Sequence, residues 1–231
     1  MYYLKLSVLR LLRYILSNMK LTKYEHACLV LENEGKTLVI DPGVFTHSLP
    51  LDVSYDFIVI THEHADHIDP DKVRQIFQRN PSVQFFVNQK IFNESISKYG
   101  AKHTIIASGA KAQVAGFDLQ FFGDEHAIIY QTSPCANNGV LVNKTLYYPG
   151  DSFVLPNVPV VILAVPACAP WMKIAEVIDF TKAVGAKSMF PTHNAMLSKE
   201  GESVTYNWLS QAAKLAGSTW LSLSTEEALD V

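Results

Sequence analysis

The 231-residue sequence predicts an α/β domain. Three observations lead there. From Leu21 onward, short apolar runs alternate with stretches of helical character, and turn residues punctuate them. No repeat, low-complexity tract or linker interrupts residues 19–231. The composition, 48% hydrophobic and 18% charged, provides enough apolar side chains for a real core and excludes intrinsic disorder.

The elements follow in order. Ala27–Leu31 and Thr37–Ile40 flank the turn signal at residues 32–35 and read as a β-hairpin. Phe57–Ile60 is a buried-strand run, followed by a polar loop and a helix over Pro70–Arg79 that opens on its proline. Val83–Val87 and His103–Ile106 read as strands around a helix at Ile91–Tyr99, which Gly100 closes. Phe117–Phe122, Gly139–Val142, Thr145–Tyr148 and Val160–Val165 are further strands. Met172–Val184 is a helix closed by Gly185, Ser188–Phe190 a strand, and Glu202–Ala216 the last helix.

Residues 1–18 differ from the rest. Leu4, Val8, Leu11 and Ile15 fall on one helical face, and the only charges are Lys5, Arg10 and Arg13. Those charges interrupt the apolar run, against both a secretory signal and a bilayer-spanning helix. A membrane-surface helix, a packed N-terminal helix and an upstream start remain as readings, with the functional domain expected over residues 19–231.

Nineteen basic against 22 acidic residues leave a formal charge of −3, with no large electrostatic footprint for nucleic acid. Cys28, Cys135 and Cys168 are odd in number and show no CxxC spacing, which excludes a disulfide scaffold or zinc ribbon. Free thiols fit a cytoplasmic location.

The chemistry concentrates after the Phe57–Ile60 run, in Thr61-His62-Glu63-His64-Ala65-Asp66-His67. Imidazole nitrogens and carboxylate oxygens are the usual ligands of Zn²⁺ and related ions. On an extended segment His62 and His64 point the same way and can share one ion, while Asp66 and His67, after a turn, can face a second. Glu63, between two ligands, should point away into solvent. Three later residues stand where strands should end: His126, Asp151 after Gly150, and His193. Side chains at strand ends can converge on one site.

This set resembles the metallo-β-lactamase-fold hydrolases. The HxHxDH motif, His126, the Gly150-Asp151 pair, His193 and the early Ile40-Asp41-Pro42-Gly43 turn match that family's pattern in order, over roughly residues 21–231. The resemblance implies a four-layer αββα sandwich with the site at one edge. It implies that His62, His64 and His126 hold a first divalent ion, that Asp66, His67 and His193 hold a second, and that Asp151 bridges both. Two such ions can share a water, lower its pKa and present hydroxide at neutral pH, with Asp66 orienting it as the catalytic carboxylate. Zn²⁺ is the default ion, and Mn²⁺ or Fe²⁺ suit the same donors.

The expected reaction is hydrolysis of an ester, lactone or phosphodiester in a small metabolite. Zinc β-lactamases proper generally carry Cys at one ligand position, often where this chain has Asp151. The sequence after His193 is too short for the extra helical domain of glyoxalase II, and no basic arm for gripping tRNA is present. What remains resembles the compact branch that includes ascorbate-6-phosphate lactonase and N-acyl phosphatidylethanolamine phospholipase D. A nuclease, or a membrane-associated phospholipase docked through residues 1–18, are the alternatives. His26 and His47 are candidates to line the mouth of the substrate pocket, and Trp171 to floor it or to staple the following helix. His103, within a strand, is expected to be structural.

Overall fold

The computed structural model describes residues 19–131 and 135–231. The segment 1–18 and its proposed amphipathic face lie outside the described residues. Among the described residues, fourteen strands form two sheets. The first holds β1 (Lys20–Lys23), β2 (Leu29–Asn33), β3 (Lys36–Ile40), β4 (Phe57–Val59), β5 (Gln84–Val87), β6 (Lys102–Ile105) and the last strand, β14 (Ala228–Asp230). The second holds β7 (Lys111–Val114), β8 (Phe117–Phe122), β9 (Gly139–Val142), β10 (Leu146–Tyr148), β11 (Ile162–Pro166), β12 (Ser188–Thr192) and β13 (Thr219–Trp220). Each sheet begins antiparallel and turns parallel, at β3–β4 in the first and at β10–β11 in the second. The second half of the chain thus repeats the pairing pattern of the first.

Strand alternation decides the layers. In β2, Leu29 and Leu31 face the space between the sheets, where they join Leu38, Phe57, Phe86, Leu119, Phe121, Tyr148 and Phe190. Val30, between them, faces outward with Val39, Ile58 and Phe85, under α1 (Pro70–Arg79) and a short turn of helix, α2 (Gln89–Ile91). On the opposite side Leu141, Leu163 and Met189 are covered by α3 (Ile174–Val184) and α4 (Lys199–Ala216) through Val177, Phe180 and Leu209. The order is helix, sheet, sheet, helix, as the resemblance implies.

Four strands escape the sequence reading: β1, β7, β13 and β14. Each is short or lies at a sheet edge, and β7 alternates lysine and glutamine with small apolar residues. The stretch expected as a helix over Ile91–Tyr99 is instead composite. It passes from α2 into a π turn, Phe92–Ile96, and a 3-10 turn, Ser97–Tyr99, that Gly100 ends in the left-handed region. The start of α4 is earlier than expected, because Ser198 caps it by accepting from the Gly201 amide. β12 also runs two residues further, through Pro191. Its neighbour β13 pairs only with Ser188 and Met189, so the missing proline N–H falls where that side of the strand has no partner. No helix among the described residues is long and apolar enough to cross a membrane.

Candidate metal centre

Within each sheet the strands β1, β3 and β4, or β8, β10 and β12, run in one direction, and the loops after them carry the chemistry. Beyond β4 the chain stays extended through His62 and then turns, with the amides of His67 and Ile68 both donating to the His64 carbonyl. The turn rests on the Asp41-Pro42-Gly43 segment after β3. The Val44 amide donates to the Ala65 carbonyl, and the Asp69 amide to the Pro42 carbonyl. Gly43 is required there by space: a Cβ would stand 1.8 Å from the Asp66 carbonyl oxygen. Pro70 and the Asp69 side chain, which accepts from the Asp71 and Lys72 amides, then start α1 and fix the far end of the loop.

The structure brings all seven predicted ligands together, in two groups. His62, His64, His126 and Asp151 offer donor atoms within 4.8 Å of one another; Asp66, His67, His193 and, unexpectedly, His26 do the same. His62 Nε2 lies 3.1 Å from His64 Nδ1. Asp151 stands between the groups. Its Oδ1 is 3.1 Å from His67 Nε2 and 3.3 Å from His193 Nε2, while Oδ2 is 3.3 Å from His126 Nε2.

The outer ring nitrogens are engaged elsewhere. Nδ1 of His67 donates to Asp41 at 2.7 Å, Nδ1 of His126 to the Ala127 carbonyl and Nδ1 of His193 to the Cys168 carbonyl, both at 2.5 Å. Each such bond places the ring proton on Nδ1 and leaves Nε2 with a lone pair aimed into the centre. His64 is reversed: its Nε2 lies 3.7 Å from Cys135 Sγ, and its Nδ1 faces His62.

A divalent cation fits this set. Nε2 of His67, His126 and His193, and Oδ1 of Asp151, are buried without a hydrogen-bond partner. A buried polar atom left so costs about 1–3 kcal/mol. Of the nine buried side-chain atoms so left among the described residues, these four face one another across the two groups, and a metal ion is the partner that imidazole nitrogens and a carboxylate share.

Electrostatics distinguish the two groups. Burial lowers His62 well below the ordinary imidazole value, and His67 adds to it; burial and His126 lower His64 in the same way. These rings are neutral donors. In the second group burial opposes charge on His67, yet the Asp151 and Asp41 carboxylates outweigh it; at His193 the nearby Asp151 and Asp66 carboxylates prevail over burial and raise the ring to about 9. Burial also works against ionised Asp66 and Asp151, but the surrounding imidazoles hold both below the usual carboxylate range. The carboxylates therefore draw positive charge toward this place, as they would draw a cation.

The remaining candidates fall out differently. Trp171 lines the cavity over the centre and also donates from Nε1 to Asp151 Oδ2 at 2.8 Å. His47 is exposed and lines a neighbouring cavity instead. His26, expected at the pocket mouth, has no solvent exposure at all, because its ring is wedged between Asp66 and His193. Glu63 does point away from the centre, but to Lys90, whose Nζ is 2.7 Å away. His103 stacks on Phe92, with ring centroids 4.0 Å apart.

The supporting roles of two residues went unread in the sequence. Asp41, in the left-handed region at φ +46°, accepts from the Thr61 amide at 2.8 Å and from its hydroxyl at 2.6 Å, besides His67. Asn137, fully buried, accepts from the Asp151 amide at 3.0 Å and donates to the Pro149 carbonyl at 2.9 Å. Nothing but the Asp41-Pro-Gly turn hinted at either of them.

Comparison with known proteins agrees with this architecture. Residues 20–193 match the family model described as a beta-lactamase superfamily domain. The chain is 30% identical over 199 residues to Protein Rv0786c of Mycobacterium tuberculosis (strain ATCC 25618 / H37Rv), covering 84% of this chain and 92% of that one. A UPF0173 metal-dependent hydrolase of Geobacillus sp. (strain WCH70) is 28% identical over 144 residues, 58% of this chain and 63% of its own. Among solved structures, Igni18, a metallo hydrolase from Ignicoccus hospitalis, superposes with a TM-score of 0.73 at 19% identity, covering 92% of this chain and 98% of that one. The chain belongs to the beta-lactamase superfamily, and it shares its fold with the metallo hydrolases among solved structures.

Proposed function

We propose that this chain is a two-metal hydrolase that cleaves an ester or lactone in a small, largely uncharged metabolite. One observation carries the two-metal reading: Asp151 turns one carboxylate oxygen to each donor group. When bound, divalent ions would supply a water of lowered pKa and polarise the scissile carbonyl. The chain's own residues do the rest. Asp66, half-buried at the cavity edge and held ionised, accepts a hydrogen bond from the attacking water and sets its direction. Trp171 fixes the Asp151 carboxylate between the two donor groups through the indole N–H. Zn²⁺ is the first expectation, with Mn²⁺ and Fe²⁺ compatible with the donors.

The substrate class follows from the cavity over the centre. It measures about 270 Å³, and Val44, Phe45, Ile129, Pro170, Trp171 and Met196 form its apolar wall. Among the described residues, no lysine or arginine lines it. A phosphate group would find no cationic side chain, and a nucleic-acid strand no basic track, which favours an acyl substrate with an apolar body. The free thiols suit a cytoplasmic setting.

Metal-depleted protein reloaded with Zn²⁺, Mn²⁺ or Fe²⁺ should bind two ions per chain. It should hydrolyse aryl esters or lactones faster than phosphodiesters of similar size. Tight binding of a single ion would remove the two-metal mechanism, and a preference for phosphodiesters would remove the substrate class.

A further inference from the structure

We infer that His26 is a positioning residue for the second metal group, not one of its ligands: one edge of its ring holds Asp66 and the other holds the chain that follows His193. This rests on the two-metal reading above. The ring is fully buried. Its Nε2 lies 3.0 Å from Asp66 Oδ2, and its Nδ1 accepts a hydrogen bond from the Ala195 amide at 3.2 Å. Its face lies against His193, with centroids 3.9 Å apart, and the His26 carbonyl accepts from the His193 amide at 2.7 Å. Both residues sit in the left-handed region, at φ +59° and +55°. Outside glycine that conformation is uncommon and persists where the surroundings over-determine it.

The Ala195 bond decides between ligand and support. An amide N–H can only donate, so His26 Nδ1 must present a lone pair. A neutral ring then carries its proton on Nε2, which donates to Asp66 and has nothing to offer a metal. Ligation through Nε2 would require an imidazolate. The predicted histidine ligands of this group, His67 and His193, show the opposite arrangement, with Nδ1 protonated and Nε2 free. The ring donates to the same Oδ2 that faces His193 Nε2 at 3.3 Å and His67 Nε2 at 3.8 Å, so it limits the rotation of that carboxylate and sets the oxygen toward the second group. The bond to Ala195 fixes the chain that follows His193.

Two substitutions separate the ring's two edges. Glutamine can place an amide N–H where Nε2 stands, but its acceptor, Oε1, sits on the same carbon and not at the position of Nδ1, whereas alanine removes both contacts. Isothermal titration of the metal-free protein with Co²⁺, alongside the visible spectrum of the cobalt centre, is the measurement. Wild type should bind two ions. His26→Ala should weaken the second by roughly 10–100-fold and leave the first unchanged. His26→Gln should regain a large part of that loss with the wild-type cobalt bands.

Unchanged second-ion affinity in His26→Ala overturns the inference. So do altered cobalt bands or loss of the second ion in His26→Gln, either of which would make His26 a ligand. One ion in the wild type overturns the two-metal reading and this role with it, a result distinguishable from the others by stoichiometry alone. An unchanged first-ion affinity in both variants shows that the fold is intact.

Discussion

Asp66 and Lys23 are each decided by what surrounds them. Asp66 is ringed by His26, His67 and His193, and its predicted work is to orient water while staying ionised. Asp66→Asn keeps the size but replaces one acceptor oxygen by an amide. Second-ion affinity should weaken, and turnover on any substrate the wild type hydrolyses should fall by orders of magnitude; equal turnover would exclude the assigned role. Lys23 is almost wholly buried, with Nζ 3.5 Å from Asn194 Oδ1 and 3.3 Å from the Tyr24 carbonyl. Burial lowers its ammonium from 10.5, against the opposing pull of Glu202 and Glu25. Between the lowered value and 10.5 the unfolded chain binds more protons than the folded one. The contribution of this residue to stability therefore rises as pH climbs through that interval. Urea unfolding of wild type and Lys23→Met should show the difference moving in favour of the wild type as pH approaches 10.5. At this scale the sequence exposed the ligands, since four of the seven stand within six residues. It hid their supports: Asp41, Asn137 and His26 act across 12 to 169 residues of chain, often on backbone groups that carry no residue signature.

Among the elements, the strands that face both a neighbouring sheet and a helix layer were readable because nothing polar interrupts them, as in β4, β9 and β11. Edge strands are solvated on one side and need no such run, so β7 and β14 carry no apolar signature. The turn after β3 has a similar hidden demand. Gly43 does not owe its place to a left-handed φ but to the Asp66 carbonyl packed against it. Gly43→Ala must push the Asp66–His67 backbone away. We expect a loss of roughly 1–3 kcal/mol in stability, in line with other overpacked sites. Second-ion affinity should drop before the first is affected. Thermal unfolding and metal titration on the same preparation check both, and wild-type values for the second ion would mean that the turn yields without disturbing the site.

The whole molecule joins two halves with the same pairing pattern across one core, and the metal centre lies where their strand ends meet. Ions bound there should clamp the sandwich. Free ion at 100 times its Kd adds about 2.7 kcal/mol per site, and each kcal/mol moves Tm by roughly 2–4 °C at this chain length. A chelator should therefore lower Tm by several degrees, and an unchanged Tm would place the site outside the unfolding unit. The fold class was legible because helix and strand patterns alternate, but the mirrored pairing was not, since it lives in register rather than in repeated residues. The division of ligands has a consequence for the order of synthesis. Neither donor group is confined to one half: the first draws His62 and His64 from the first sheet's loops and His126 and Asp151 from the second's, while the second waits for His193. On the two-metal reading, a chain leaving the ribosome would carry half of the first chelate and all of the second but His193. It would complete the first when Asp151 has emerged and the second only some forty residues later, so both ions would load late in synthesis.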